Sequence, residues 1–279
     1  MPDLYMLFPE GKAKALTLSY DDGVEQDILL MKIMDQNGLK GTFNLSSGLY
    51  PPEDFRWPEG QIHRRMPFSQ AKAVYTHSGH EIAIHGYSHG DLAMLPSAAA
   101  AVDVMKDKEA LERDYDRMVR GMAYAYGRYN DQVVDLLKSC GVAYARTTHA
   151  SHNFEIPQDW LRLPATCHHK DEKLMDLARQ FAEGTPRMRP WLFYLWGHSY
   201  EFDMDQNWHV IEEFAAYIGK RDDIWYATNI EIHDYVEAYR SLHCSADGKR
   251  IYNPTCHKIW LHHKSSIYAV DPGAEIQLP

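Results

Sequence analysis

The sequence predicts an α/β fold, a distorted (β/α) barrel with about seven or eight strands and a small β appendage at its carboxyl end. Short apolar, β-rich runs alternate with helical stretches over most of the 279 residues. This alternation is typical of parallel strands with helices packed outside them. No Gly-x-Gly-x-x-Gly follows the first strand, which favours a barrel over a dinucleotide-binding sheet.

Apolar runs and helical periodicity place the elements in chain order. Ser69, Ser97 and Asn130 are predicted N-caps, and Gly141 and Gly184 stand where a helix should end. The predicted strands cover residues 14–20, 41–45, 81–85, 119–126, 142–148, 160–165, 191–198 and 224–228. The predicted helices cover residues 24–37, 69–78, 97–117, 130–139, 171–183, 207–219 and 230–240.

Two segments interrupt the alternation. Residues 49–60 are rich in proline, aromatic and acidic residues and predict a long loop with Trp57 near its tip. From about Ser241 onward, short alternating runs are separated by Asp-Gly and Pro-Gly turns, which predicts β structure. We therefore expect a barrel domain at residues 1–240 and a small β appendage at residues 241–279.

Composition narrows the class of partner. The chain has 45% hydrophobic and 24% charged residues, and its net charge of −10 disfavours nucleic acid and anionic membranes as partners. Four scattered cysteines without a Cys-x-x-Cys pair fit a reducing compartment. No export signal or long apolar run is visible, so the sequence predicts a cytoplasmic protein that does not enter a membrane.

Carboxylates and imidazoles follow three of the predicted strands. Asp21 and Asp22 end the first, His85 and His89 follow the third, and His198 ends a later one. Active sites of such barrels lie at the carboxyl ends of the strands, so these five side chains should share one rim.

This set of residues suits a metal-dependent hydrolase. Asp22, His85 and His89 would hold a divalent ion and leave one position open for water or substrate. Asp21 would then take a proton from the water as general base. His198 would give a proton to the leaving group, a division of roles that suits cleavage of an amide or ester.

Three motifs resemble one known family. SYDDG at 19–23, HGYSH at 85–89 and the run ending in His198 are similar to motifs of the NodB-type polysaccharide deacetylases, carbohydrate esterase family four. The resemblance covers residues 14–240 and implies a barrel of about seven strands. It also implies a divalent metal, usually zinc, with Co²⁺, Ni²⁺ or Mn²⁺ as alternatives, and removal of acetyl groups from N-acetylated sugars. The roles it implies for Asp21, Asp22 and the three histidines are those given above.

The chain departs from the family pattern at several positions. Gly86 stands where the family has serine or threonine. Of the third motif only Tyr126 remains, whose backbone N–H would bind the developing oxyanion. The arginine expected beside Asp21 is missing, and Arg128 or Arg146 could replace it. The fourth motif, an aspartate and tryptophan pattern, is absent, which leaves open what orients His198.

Other histidines and tryptophans have two interpretations. His168 and His169 follow a predicted strand, so they either bind substrate or serve the structure. Trp57 and Trp196 either stack on sugar rings or pack in the core. A second zinc site in the tail is disfavoured because its Cys-x₁₁-Cys spacing is unusual; its members would be His243, Cys244, Cys256, His257, His262 and His263.

The sequence therefore predicts hydrolysis of an N-acetyl, or O-acetyl, group on a sugar, oligosaccharide or polysaccharide. Two alternatives stay open. The same fold could act on a small non-sugar amide or ureide, or the chain could be a non-catalytic carbohydrate-binding protein on a retired barrel. The oligomeric state is not predicted.

Overall fold

A parallel sheet that closes on itself forms the centre of this protein, whose computed structural model describes residues 4–279. The strands are β1 Leu4–Leu7, β2 Lys14–Asp21, β3 Gly41–Leu45, β4 Glu81–Ile84, β5 Gly121–Ala123, β6 Tyr144–Ala150, β7 Leu163–Ala165, β8 Cys167–His168, β9 Trp191–Gly197, β10 Ile224–Tyr226, β11 His243–Cys244, β12 Arg250–Tyr252, β13 Ile259–His263, β14 Ser266–Val270 and β15 Glu275–Gln277. The helices are α1 Asp27–Gln36, α2 Phe68–Tyr75, α3 Ser97–Tyr115, α4 Asp131–Ser139, α5 Leu174–Glu183, α6 Tyr200–Met204, α7 His209–Ile218 and α8 Asn229–Arg240.

The central sheet runs in the order β7, β6, β5, β4, β3, β2, β9, β8, with every pairing parallel. Its two ends belong to one stretch of chain, because β7 pairs with β6 while β8, two residues later, pairs with β9. That stretch closes the ring. The predicted barrel with seven or eight strands is therefore confirmed.

The barrel is distorted beside β2. Residues Leu18–Asp21 of this strand pair with β3, whereas Lys14–Leu16 pair with β10 on the same side. One edge of β2 thus serves two neighbours in succession. All eight residues of β2 are buried, although its sequence KALTLSYD contains four polar or charged residues.

The carboxyl-terminal residues form two small antiparallel sheets. One has the order β1, β13, β14 and takes its first strand from the start of the chain, and the other has the order β11, β12, β15. Ile259, Leu261 and Val270 share a buried cluster with Tyr194 of the barrel and Val236 of α8. The predicted β structure of the tail is confirmed. A domain boundary at residue 240 stays a prediction, and residues 1–3 of the predicted barrel domain lie outside the described range.

Three predicted strands are shorter by two residues or more in the structure, and within 224–228 only Ile224–Tyr226 is extended. Within 160–165 only β7 is extended, because Trp160–Arg162 forms a 3₁₀ turn whose Leu161 N–H is capped by the Asp159 carboxylate. Within 119–126 only β5 is extended, because Tyr126 adopts a positive φ of 57° in a second 3₁₀ turn.

Helix starts were predicted with mixed success. Asn130 caps α4 by accepting from the Val133 N–H, as expected. The predictions for Ser69 and Ser97 were wrong, because α2 and α3 already include these residues. Ser69 instead donates to Glu53 of the preceding loop, which supplies the negative charge near the helix start. No helix between residues 4 and 279 is long and apolar enough to cross a membrane.

Candidate active site

Five side chains meet at the carboxyl ends of the barrel strands. Asp21 is the last residue of β2 and Asp22 follows it, His85 follows β4 directly, and His198 follows β9 directly. His89 lies one turn beyond His85, and its ring centroid is 4.7 Å from that of His85. The parallel direction of the strands places all five on one rim.

Asp22, His85 and His89 form a group that could hold a metal ion, with one ligand atom from each lying within 4.8 Å of the others. His85 Nε2 and His89 Nε2 are 3.2 Å apart, and His89 Nε2 is 3.6 Å from Asp22 Oδ1. Ligand atoms bound tetrahedrally at zinc distances lie about 3.3 Å apart. The spacing therefore suits a small divalent cation.

The protonation of the two rings also fits a metal ligand set. His85 Nδ1 lies 2.9 Å from the Ala123 carbonyl oxygen, which can only accept, so Nδ1 carries the proton and Nε2 presents its lone pair. Burial, followed by the neighbouring His85, lowers the pKa of His89 to about 4, which keeps its ring neutral. A neutral imidazole can offer one bare nitrogen, and two imidazoles that do so beside a carboxylate are a suitable donor set for zinc.

The backbone around this group is strained. Asp22, His89 and Tyr126 have positive φ values of 85°, 53° and 57°, a region that residues with a Cβ rarely adopt. Gly86 has φ 85°, so glycine at this family serine or threonine position meets a conformational need. Ser88 supplies a nearby hydroxyl and donates from it and from its backbone N–H to Asp103, which fixes the loop.

Asp21 lies between the metal-binding group and His198. Its Oδ2 contacts the guanidinium of Arg146 and is 3.8 Å from both His85 Nε2 and His198 Nε2. Its Oδ1 accepts from Asn44 Nδ2 at 2.8 Å. Burial acts to raise the pKa of Asp21, but Arg146 and the two histidines outweigh it and hold the pKa below its usual value.

Arg146 answers one question that the sequence left open. Of the two arginines considered, Arg146 reaches Asp21 from β6 and is 1% exposed, whereas Arg128 pairs with Asp91 at 3.0 Å. The guanidinium of Arg146 also stacks on the Trp196 ring, 4.2 Å from its centroid. The signal in favour of Arg146 was its place within a predicted strand, residues 142–148, although β6 does not pair with β2 in the sheet.

The loop before α2 contributes two residues that sequence reasoning missed. Arg65 Nη2 is 2.5 Å from Asp22 Oδ1, and His63 Nε2 is 3.2 Å from Asp22 Oδ2. Burial acts to raise the pKa of Asp22. The hydrogen bond to His63 and the charges of His85 and Arg65 outweigh burial, and the pKa lies far below its usual value. Trp57 holds this loop by donating from Nε1 to the Arg65 carbonyl oxygen. No sequence motif predicts the contacts of Arg65 and His63 with Asp22, because only the tertiary fold brings this loop to the site.

The remaining predicted site residues lie around the same rim. Tyr126 is 64% exposed, and its ring lies edge-on to His89 at 4.8 Å. His168 is half-buried beside Trp196, at 4.5 Å between ring centroids. His169 and Trp196 are only 2% and 8% exposed, so neither offers an open ring face. Substrate binding by His168, His169, Trp196 and Trp57 stays a prediction.

Glu201 is an acidic residue of the site that sequence reasoning missed. Its Oε2 lies 3.3 Å from His198 Nδ1. Burial acts to lower the pKa of His198, whereas Glu201 and then Asp21 act to raise it, and the net result is a raised pKa. The spacing of three residues after His198, at the start of a short helix, could have pointed to this contact.

The histidines and cysteines of the tail do not gather in this way. Among residues 4–279, the groups able to hold a metal are the one described above and a second at His168, His198 and Glu201. Both lie at the barrel rim.

Comparison with known proteins agrees with this picture. Residues 9–145 match the family model described as polysaccharide deacetylase. No curated protein matches the sequence.

Solved structures of similar shape include a protein of Mycobacterium smegmatis assigned to the polysaccharide deacetylases. It has 19% identity and a TM-score of 0.57, over 84% of this chain and 93% of that one. A peptidoglycan deacetylase mutant from Bacillus subtilis has 14% identity and a TM-score of 0.48, over 81% and 93%. A family 4 carbohydrate esterase from Streptomyces lividans has 14% identity and a TM-score of 0.46, over 73% and 85%.

Of these three structures, the Mycobacterium smegmatis protein alone has a TM-score above 0.5, and its likeness shows that the two chains share a fold. The match over residues 9–145 includes β2, β4 and the motifs at their ends. Residues 9–145 of this chain are similar to the polysaccharide deacetylase family, and this match supports a hydrolase of the class that acts on carbon–nitrogen bonds other than peptide bonds.

Proposed function

We propose that this protein is a metal-dependent deacetylase that removes an acetyl group, N-linked or O-linked, from a sugar, oligosaccharide or polysaccharide. The observation that carries the proposal is the position of Asp21. Its Oδ2 is 3.8 Å from His85 Nε2 on one side and 3.8 Å from His198 Nε2 on the other. A candidate base therefore lies between a candidate metal ligand and a candidate acid.

Asp22, His85 and His89 would hold the divalent cation, and zinc is the first candidate because two imidazoles and a carboxylate are a common catalytic zinc set. Co²⁺, Ni²⁺ and Mn²⁺ are the alternatives. When bound, the cation would polarise the acetyl carbonyl group and lower the pKa of a water molecule. The hydrogen bond from His85 Nδ1 to the Ala123 carbonyl oxygen orients one ligand ring for this task.

Asp21 would accept the proton of the attacking water. Its lowered pKa keeps it ionised near neutral pH, and Arg146 and Asn44 fix its direction. His198, whose raised pKa favours the protonated ring, would donate a proton to the leaving nitrogen as the C–N bond breaks. Water thus adds to the carbonyl carbon, and acetate and a free amine result.

Tyr126 would contribute its backbone N–H to the oxygen of the tetrahedral intermediate. Its ring lies 4.8 Å from that of His89, which places Tyr126 beside the candidate metal ligands. His168, His169, Trp196 and Trp57 are proposed to shape the groove around the sugar. Four cysteines without disulfide partners are typical of a reducing compartment, which supports a cytoplasmic location.

The test is acetate release from a panel of substrates by protein loaded with Zn²⁺, Co²⁺, Ni²⁺ or Mn²⁺. We expect turnover of N-acetylated chitooligosaccharides or O-acetylated sugars by the metal-loaded protein and none after chelation. Turnover of only small amides or ureides would support the alternative amidohydrolase. Sugar binding by calorimetry without turnover under any metal would support the non-catalytic alternative, and both results would contradict the proposal.

A further inference from the structure

We propose that Glu201, in the helix after β9, is the positioning residue that orients the His198 ring. The family motif that would place an aspartate after β6 is absent from this chain. The inference rests on the proposed role of His198 as the acid. Glu201 Oε2 lies 3.3 Å from His198 Nδ1 and 3.3 Å from the His198 backbone nitrogen. One carboxylate oxygen therefore contacts both the ring and the main chain of the same histidine.

Glu201 is itself held in an ionised form. Its Oε2 is also 3.3 Å from His168 Nε2 and from His169 Nε2, and its Oε1 is 3.0 Å from Lys170 Nζ. Burial acts to raise the pKa of Glu201, but the three histidines outweigh it and lower the pKa far below its usual value. A permanent negative charge thus stands behind the His198 ring.

The proton positions show that these residues form a proton-bearing cluster rather than a second metal site. The Lys170 backbone N–H donates to His168 Nδ1 at 3.1 Å, so Nδ1 uses its lone pair. A neutral His168 ring must then carry its proton on Nε2, the atom that faces Glu201. A metal at His168, His198 and Glu201 would need that nitrogen bare, and the Lys170 ammonium already pairs with the Glu201 carboxylate.

The contact with Glu201 also fixes the orientation of the His198 ring. With its Nδ1–H directed at Glu201, its Nε2 faces Asp21 at 3.8 Å and the reaction centre beyond. The charged groups around the ring are Glu201 behind it and Asp21 and Asp22 in front of it, and all three raise its pKa. Only Glu201 accepts a hydrogen bond from Nδ1 and can select the tautomer.

The surrounding structure supports a fixed geometry. Ser199, between His198 and Tyr200, donates from Oγ to the buried Asp27 at 2.5 Å, which anchors the turn that carries both partners. His169 stacks on Phe202 at 4.2 Å between ring centroids. A Cβ at position 197 would come within 2.0 Å of His169 Nδ1, so Gly197 is what allows this ring to reach Glu201.

The test is a nitrogen-15 NMR titration of the His198 ring, assigned with the H198Q variant, in wild-type, E201Q and E201D proteins. In the wild type we expect the proton of the neutral ring on Nδ1. E201Q removes the charge at constant size, so the pKa of His198 should fall and the tautomer preference weaken. E201D keeps the charge on a shorter side chain and should restore part of the pKa. E213Q, on an exposed position of α7, is the matched control and should leave both readouts unchanged.

Kinetics provide the second readout. E201Q should lower kcat about 100-fold with little change in KM, and the alkaline limb of the kcat profile should move to lower pH. An unchanged His198 pKa and tautomer in folded E201Q would overturn the inference even if the protein is an active deacetylase. If the NMR shifts appear in a protein that deacetylates nothing, the contact with Glu201 stands and the proposed function fails.

Discussion

The barrel rim and the carboxyl-terminal segment are both rich in histidine, and they use it differently. At the rim, His85, His89 and His198 follow the ends of strands, and the ring of each has a carboxylate or another ring within 4 Å. In the tail, His243, Cys244 and Cys256 are exposed and make no such group within residues 4–279. Histidines therefore form a site where parallel strand ends bring them together, and a high number of histidines alone does not produce one.

The largest effect is expected for D21N. It keeps the size of the side chain and removes the base, so acetate release should fall about 1,000-fold while metal binding persists. Acetate release and calorimetric metal titration measure the two quantities. D247N, on an exposed tail residue, should behave as wild type. Full activity of D21N would contradict the proposed role of Asp21 as the base, and the rim would then differ from the tail in no catalytic property tested by this pair of variants.

The next effect is on metal affinity. H89A removes one of the three ligand atoms and should weaken Zn²⁺ binding by at least about 100-fold, measured by titration with a chromogenic chelator. H257A in the tail is the matched control and should bind as wild type. Equal losses in the two variants would show that the tail also holds the metal.

Arg146 gives a smaller effect that is seen in stability. R146M leaves the buried Asp21 charge without its closest partner, so the free energy of unfolding at pH 7 should fall by about 3 to 5 kcal/mol. The folded pKa of Asp21 lies below its usual 3.8, so its stabilising contribution is present above pH 3.8 and is lost as pH falls through the lower value. Urea unfolding between pH 2 and 7 should therefore show a weaker acid dependence in R146M than in wild type. An identical acid dependence would contradict the pairing.

The smallest effect belongs to the tail. The Tyr235 hydroxyl donates to the Leu7 carbonyl oxygen at 2.7 Å and accepts from the Trp260 N–H at 2.9 Å, which ties α8 to β1 and β13. Y235F should lower the free energy of unfolding by about 1 to 3 kcal/mol. Its metal affinity and activity after correction for the folded fraction should not change. A loss of metal affinity in folded Y235F would show that the tail supports the rim directly.

The sequence predicted most of the fold because strand and helix patterns are local. It also predicted that Asp21, Asp22, His85, His89 and His198 would share a rim, because parallel strands end on the same side. It failed where tertiary folding decides the contact. Arg65 reaches Asp22 from 43 residues away. Arg146 reaches Asp21 from β6, a strand that does not pair with β2, so the choice between Arg146 and Arg128 depended on how the sheet closes.

Turn geometry was the other limit. Tyr126 and Trp160 lie in 3₁₀ turns that the sequence patterns predicted as strand, because aromatic residues are enriched in strands. Glu201 lay within reach of sequence reasoning, at one turn after His198. Its role could be recognised only from the structure, in which His168, His169 and Lys170 pack against its carboxylate.

The most direct test of the account is anomalous diffraction from crystals soaked in Zn²⁺, recorded on both sides of the zinc absorption edge. We expect one strong peak about 2.0 to 2.2 Å from a carboxylate oxygen of Asp22, from His85 Nε2 and from His89 Nε2. No peak there, or a peak bound only by His168, His198 and Glu201 or by tail histidines, would contradict it.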